Sequence, residues 1–288
     1  MRWRGERESD NVEDRRGVSI SRGMKAGGIG GLGLVALVVV GMFLGVDPST
    51  MLQIVQNVQP PSVSTTDQGV RPAANDDGRK FVAVVLAETE DVWNDAFRNG
   101  GGTYQELKLV LFSGAVESEC GMTESAVGPF YCPADQKVYL DLAFFGELHS
   151  RFGASGDFAQ AYVIAHEVGH HVQTLLGITE KVTKLQSRAS ASDRNRLSVM
   201  VELQADCLSG MWAHHAQKSR NILEAGDIEE GLNAASAVGD DRIQKRNQGY
   251  VVPDGFTHGT SAQRVNWFKR GLEQGDLQAC NTFNADRL

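Results

Sequence analysis

Residues 26–46, AGGIGGLGLVALVVVGMFLGV, run for 21 positions without a charged side chain. A helix needs about 20 such residues to cross the hydrocarbon core of a bilayer, so this stretch predicts one transmembrane helix. A cleaved signal peptide is the alternative, but its apolar core runs only about 7–15 residues and ends in a small-residue cleavage site. The flanking charges set the expected orientation. Arg15, Arg16, Arg22 and Lys25 precede the run, and the next basic residue is Arg71. Positive charge is retained on the cytoplasmic side. The expectation is a single-pass protein of the plasma (inner) membrane, with residues 1–25 a cytoplasmic segment and everything after residue 46 extracytoplasmic.

An exported domain changes how its cysteines are read. All four (Cys120, Cys132, Cys207 and Cys280) follow the apolar run, and an even count outside the cytoplasm suggests disulfides. Three pairings are possible. Proximity favours Cys120 with Cys132, leaving Cys207 with Cys280. No C-x-x-C spacing supports a cysteine metal site, and buried free thiols remain the bland alternative. A net charge of −8 argues against nucleic acid as a partner, because phosphate binding needs clustered Lys and Arg.

Residues 47–79, rich in Pro, Ser, Thr, Gln, Asn and Asp, read as a flexible linker, and residues 80–288 as the folded domain. Its first segment, KFVAVVLAETEDVWNDAF, has helical spacing with Val82, Val85, Leu86, Val92 and Phe97 on the buried side. KLVLF (108–112) reads as a strand, as do FYC and KVYLDLAFF around the turn PADQ. After residue 155 the chain reads as helical almost to its end, broken by the loop 247–263. The fold class expected is α+β, a small sheet and a mostly helical C-terminal half, preceded by the transmembrane helix.

The segment AYVIAHEVGHHVQ (161–173) carries three of the chain's seven histidines. Ala161, Ile164, Val168, Val172 and Leu175 recur at helical spacing, which puts His166 and His170 together on the other side, one turn apart. Two imidazoles so placed can converge on one zinc ion at about 2.0–2.1 Å. This is the H-E-x-x-H pattern, with Glu167 as general base. A catalytic zinc needs a third protein ligand. A histidine six residues after the second would supply it in one class, but Leu176 stands there. Glu202, in SVMVELQADCLSGMWAHHA (198–216), supplies it instead. Asp206 lies four residues on, on the same helix face, and fits as acceptor of the free ring N–H of a zinc histidine, assigned here to His166. The alternative makes Glu202 and Asp206 solvated helix charges.

HEVGH followed by ELQAD (E-x-x-x-D) resembles the gluzincins, the thermolysin-like class with Glu as third ligand. MRWRGERESDNVEDRRG, the apolar run, GPFYCPADQKVYLDL, HEVGHHVQ, ELQADCLSG and HGTSAQR together resemble the bacterial neutral zinc metallopeptidase family. The resemblance covers almost the whole chain except the linker. It implies a zincin-like fold, one Zn2+ per chain, membrane anchoring and a zinc-dependent endopeptidase acting on protein or peptide substrates.

His258 and Arg264, six apart in HGTSAQR, resemble the His and Arg that line the site of membrane-embedded CaaX-type gluzincins. The likeness implies His258 as donor to the carbonyl oxygen, with Arg264 supporting it or the substrate carbonyl. The alternative is a helix N-cap at Thr260 or Ser261 beside a surface histidine. Thermolysin-like enzymes add the substrate as a strand to a sheet edge, and KVYLDLAFF reads equally as that edge or as a core strand. His171 and the tryptophans Trp93, Trp212 and Trp267 read as packing, His214 and His215 as helix-end residues, and His149 as surface. Two rival readings stand: a structural zinc site in a tethered binding module, and an adaptor that needs no metal.

Overall fold

The computed structural model describes residues 1–17 and 76–283. The elements in chain order are β1 (Val12–Asp14), α1 (Asp77–Asn99), β2 (Lys108–Phe112), β3 (Ala115–Ser118), β4 (Gly121–Glu124), β5 (Phe130–Cys132) and β6 (Lys137–Asp141). They are followed by α2 (Ala143–Ser150), α3 (Asp157–Leu175), α4 (Ile178–Gln186), α5 (Ala191–Arg220), α6 (Asp227–Ala237), α7 (Asp240–Gln248) and α8 (Ser261–Gln274). A small sheet and a helical C-terminal half make the domain α+β, as expected.

The sheet has the order β1-β2-β6-β5. β1 and β6 run parallel to β2, and β5 runs antiparallel to β6. KLVLF and KVYLD are buried on both faces. Leu109, Leu111, Val138 and Leu140 point into the main core with α1, α3, α5 and α8. Val110, Phe112 and Tyr139 form a second cluster with Val116 of the β3–β4 hairpin on the opposite face. This covering of both faces explains the continuous apolar run of β2. β6 is thus an interior strand, and the sheet ends at β1 on one side and at β5 on the other. The sequence reading carried the β6 strand into AFF, but the chain turns at Leu142. Asp141 accepts the Ala143 backbone N–H at 3.0 Å and starts α2.

Two expectations are corrected. Among the described residues no helix is long and apolar enough to cross a membrane. The predicted transmembrane stretch, 26–46, lies outside the described residues, as does most of the predicted linker. The single-pass arrangement, with residues 1–25 cytoplasmic and the domain extracytoplasmic, is overturned by strand pairing: residues 1–17 belong to the same compact unit as residues 76–283. Val12 pairs with Leu109 and Asp14 with Leu111. The Ser9 backbone N–H reaches the Ala83 carbonyl at 3.0 Å, and Arg16 pairs with Asp76 at 2.6 Å. Hydrogen bonds of this length cannot join segments on opposite sides of a bilayer.

This docking also explains why α1 is buried continuously from Phe81 to Glu90 rather than along one stripe. The N-terminal segment covers the face that the sequence reading left to solvent. Glu90, 2 % exposed, accepts from Ser9, Asn11 and Arg7, and Glu88 from Arg220 at 2.7 Å.

Both disulfides follow the pairing expected from proximity. Cys120–Cys132 ties the β3–β4 turn to the end of β5, and Cys207–Cys280 ties α5 to the turn after α8.

Candidate active site

The site forms where α3 crosses α5. Gly169, inside the HEVGH motif, faces Ala205, which lies between Glu202 and Asp206. A Cβ on Gly169 would stand 3.1 Å from the Ala205 carbonyl oxygen. A side chain there would push the helices apart, so this glycine sets the distance between the two histidines and the two carboxylates.

At that crossing, His166 Nε2 lies 3.2 Å from Glu202 Oε2, and His170 Nε2 lies 3.5 Å from Glu202 Oε1. Two donors about 2 Å from a tetrahedral zinc sit roughly 3.3 Å apart. The spacing of these three side chains therefore fits one ion. The remaining ring nitrogens are engaged by the protein. His166 Nδ1 meets Asp206 Oδ1 at 2.9 Å, and His170 Nδ1 meets Gln173 Oε1 at 2.9 Å. Each imidazole is thereby held with Nε2 toward the gap.

Behind His166 lies a closed charge network. Asp206, fully buried, receives Arg264 through Nε at 2.8 Å and Nη2 at 2.9 Å, and the Tyr162 hydroxyl at 2.5 Å. Burial opposes the charge on Asp206, but Arg264 and His166 hold its carboxyl below the usual range. Glu202 is likewise held well below it by His170 and His166 against the cost of burial. Arg264 thus lies beneath the candidate metal ligands, on Asp206, and also lines the cleft that His258 walls.

Glu167, next to His166, faces a cavity of about 420 Å³ with His258 on its wall. Burial pushes its carboxyl up to about 7, and the neighbouring Glu202 adds to that while His166 opposes it. A carboxyl so tuned is suited to exchanging protons near neutral pH. The Tyr131 backbone on β5 favours its charged form slightly, and Tyr131 lines the same cavity, which puts the β5 edge of the sheet beside it.

His258 has a half-exposed side chain. Thr260 caps α8 with a reciprocal Gln263 bond, so the N-cap reading of this loop holds as geometry while His258 still faces the cleft. Asp240, at the start of α7, holds the loop. Its Oδ2 accepts the backbone N–H groups of Thr257, His258 and Gly259 at 2.8, 2.7 and 3.1 Å, and its Oδ1 lies 3.3 Å from His258 Nδ1. Through that bond Asp240 raises the His258 pKa.

Asp240, Tyr162, Gln173 and Tyr131 are absent from the sequence reading. Tyr162 stands four residues before His166 and Gln173 three after His170, so helical spacing carried their signal. Asp240 is 18 residues from His258 and carried none. His171 is buried, between the Tyr131 hydroxyl (3.1 Å) and the Gln105 carbonyl (2.6 Å), in the packing role expected. A second acidic group, Asp157, Asp227 and Glu230, is paired with the α-amino group of Met1, 2.5 Å from Asp157 and 3.2 Å from Asp227.

A family model described as "Putative neutral zinc metallopeptidase" matches residues 1–283. The chain belongs to this family. Among its relatives, "Uncharacterized protein YpfJ" of Escherichia coli K12 is 52 % identical over 289 residues, 98 % of this chain and 99 % of that one. "Uncharacterized protein Rv2575" of Mycobacterium tuberculosis H37Rv is 41 % identical over 264 residues, 86 % of each chain. No solved structure matches at a significant level. Membership implies zinc as cofactor and a protein or peptide as substrate, and the donor set of two imidazoles and a carboxylate suits that metal.

Proposed function

We propose that the protein is a zinc-dependent endopeptidase of gluzincin type. The observation that carries this is the position of Glu167: a buried carboxyl with a raised pKa, directly after a zinc-spaced histidine and open to a cleft. His166, His170 and Glu202 would hold the ion, which when bound supplies Lewis acidity to a carbonyl oxygen and to water.

The chain's own groups do the rest. Glu167 takes a proton from the attacking water and delivers it to the leaving amine nitrogen. His258, whose protonated form Asp240 favours, donates to the carbonyl oxygen as negative charge grows there. Asp206 fixes the His166 ring, Gln173 fixes the His170 ring, and Arg264 neutralises Asp206 in the interior. The free edge of β5 receives the substrate backbone. Structural zinc sites are closed by four protein ligands, whereas catalytic sites keep three and an open position. Three donors at the wall of an open cleft support the second.

The test compares the zinc-loaded full chain with Glu167→Gln on a random peptide library read by mass spectrometry. Cleavage by the wild type and none by the variant, at equal zinc content, is expected. Equal cleavage by both would remove Glu167 from the mechanism.

A further inference from the structure

The N-termini of two helices meet around one ammonium group, outside the cleft. α3 begins at Asp157 and α6 at Asp227, and the glycines before them, Gly156 and Gly226, have no side chain to cap either helix. Acidic groups collect there, as they do where helix dipoles end positive. One oxygen from each of Asp157, Asp227 and Glu230 lies within 4.8 Å of the others. Met1 places its α-ammonium 2.5 Å from Asp157 Oδ1, 3.2 Å from Asp227 Oδ1 and 3.4 Å from Glu224 Oε2. Asp227 is 4 % exposed and Met1 5 %. Glu230 accepts the Phe158 backbone N–H at 3.0 Å and so caps α3 from the neighbouring helix.

Several contacts seat residue 1 in this place. The Met1 side chain is part of the main core. The Arg2 backbone N–H reaches the Ile222 carbonyl at 2.8 Å, and the Arg2 guanidinium reaches the Asn221 carbonyl at 2.9 Å. These bonds fix the Met1 nitrogen opposite the carboxylates. Burial opposes its charge, but Asp157 and Asp227 more than offset that and raise its pKa. Carboxylates packed this closely in the interior need a cation, and the chain supplies one from its own amine. An amide nitrogen in the same place has no charge and a single N–H. It also carries a carbonyl oxygen, which would stand against Asp157 and Asp227.

We propose that this pocket is a receptor for a free α-ammonium group on residue 1, and that an acyl cap or a preceding residue there leaves the start of the active-site helix unanchored. The formyl group that bacterial translation puts on an initiating methionine is one such cap. Its hydrolysis by water breaks the amide C–N bond, with formate leaving and the nitrogen taking up protons to become the ammonium. A cut ahead of residue 1 frees the same group, so the pocket's demand is for the amine and not for the route. The pocket takes no part in the proposed hydrolysis of substrate. It bears on the site through α3, which starts at Asp157 and carries Tyr162, His166, Glu167 and His170.

The experiment uses the full chain prepared three ways: with a free Met1 amine, with the formyl group retained by inhibiting the deformylase during expression, and with Gly-Ser ahead of Met1. Mass spectrometry verifies each N-terminus. Both blocked forms are expected to melt roughly 10 °C below the free form. Hydrogen exchange over residues 157–165 is expected to quicken in them by roughly tenfold or more. Asp227→Asn should narrow the gap in melting temperature between free and blocked forms to about half or less. Free and blocked forms that melt and exchange alike would overturn the proposal, and so would a gap that Asp227→Asn leaves unchanged. Loss of stability in the extended form with none in the formylated form would assign the effect to bulk rather than to the missing charge, and would overturn it too. If the blocked forms do not fold, the free form decides. Acylation of its Met1 amine by a succinimidyl ester should run roughly tenfold or more slower in the folded protein than in urea, and equal rates would put the amine in solvent and remove the pocket.

Discussion

His166 and His170 each give one ring nitrogen to the protein and point the other at Glu202. Residues that hold such rings typically cost about 10–100-fold in metal affinity when removed. Gln173→Leu is therefore expected to weaken zinc binding by roughly tenfold or more with folding retained, measured by chelator competition and by the visible spectrum of the cobalt-substituted protein. His170→Ala should lose the metal, read by elemental analysis. The pH profile follows from two groups. With Glu167 as the base in the proposed mechanism, activity should rise with pH through a limb at or below about 7, since a bound cation favours the carboxylate. With His258 as the proposed donor in its protonated form, activity should fall as pH climbs through its raised pKa. Asp240→Asn removes the cause of that raise and should move the alkaline limb to lower pH. An unmoved alkaline limb would take His258 out of this role.

At the scale of elements, the site depends on helices that approach closely. Gly271 on α8 faces α5 so tightly that a Cβ would stand 1.9 Å from the Cys207 carbonyl oxygen, and a Cβ on Gly210 would stand 2.1 Å from the Phe268 carbonyl oxygen. Overpacking costs about 1–3 kcal/mol and at times more. With backbone as the obstacle, Gly271→Ala is expected at or above about 3 kcal/mol, measured by urea unfolding. The Cys207–Cys280 bridge spans 73 residues beside the same crossing. Replacing both cysteines by Ala should cost about 2–4 kcal/mol, with the midpoint of unfolding as readout. The HEVGH and ELQAD spacings were legible in the sequence because a helix brings residues four apart together. Whether KVYLD was an edge or a core strand stayed open in the sequence because β2 and β6 both read as apolar runs, and alternation alone does not say which strand ends a sheet.

Across the whole molecule, the unexpected element is the N-terminal segment. Its β1 extends the sheet, and Ser9, Asn11 and Arg7 satisfy Glu90 in the interior. Deleting residues 1–16 would expose the β2 edge and leave a buried carboxylate without partners. Breaking a buried charge pair costs about 3–5 kcal/mol, which for a domain of this size lowers the melting temperature by roughly 10 °C. Calorimetry of the full and shortened chains would measure it. A domain started at Lys80, the boundary suggested by the linker composition, lacks this segment as well as the Asp76 cap of α1.

The sequence by itself determined the α+β character and the helical spacing that groups His166 with His170 and Glu202 with Asp206, and it favoured, among three pairings, the two disulfides that form. All of these follow from local periodicity or chain proximity. Tertiary structure decided what lies between distant positions. It set Arg264 on Asp206, joined Asp240 to His258, and placed β6 inside the sheet with β5 at its edge. It also carried residues 1–17 into the sheet, where charge counting had placed them across a bilayer. Each of these depends on which segments pack together, and burial and hydrogen bonding between residues far apart in sequence leave no periodic trace along the chain.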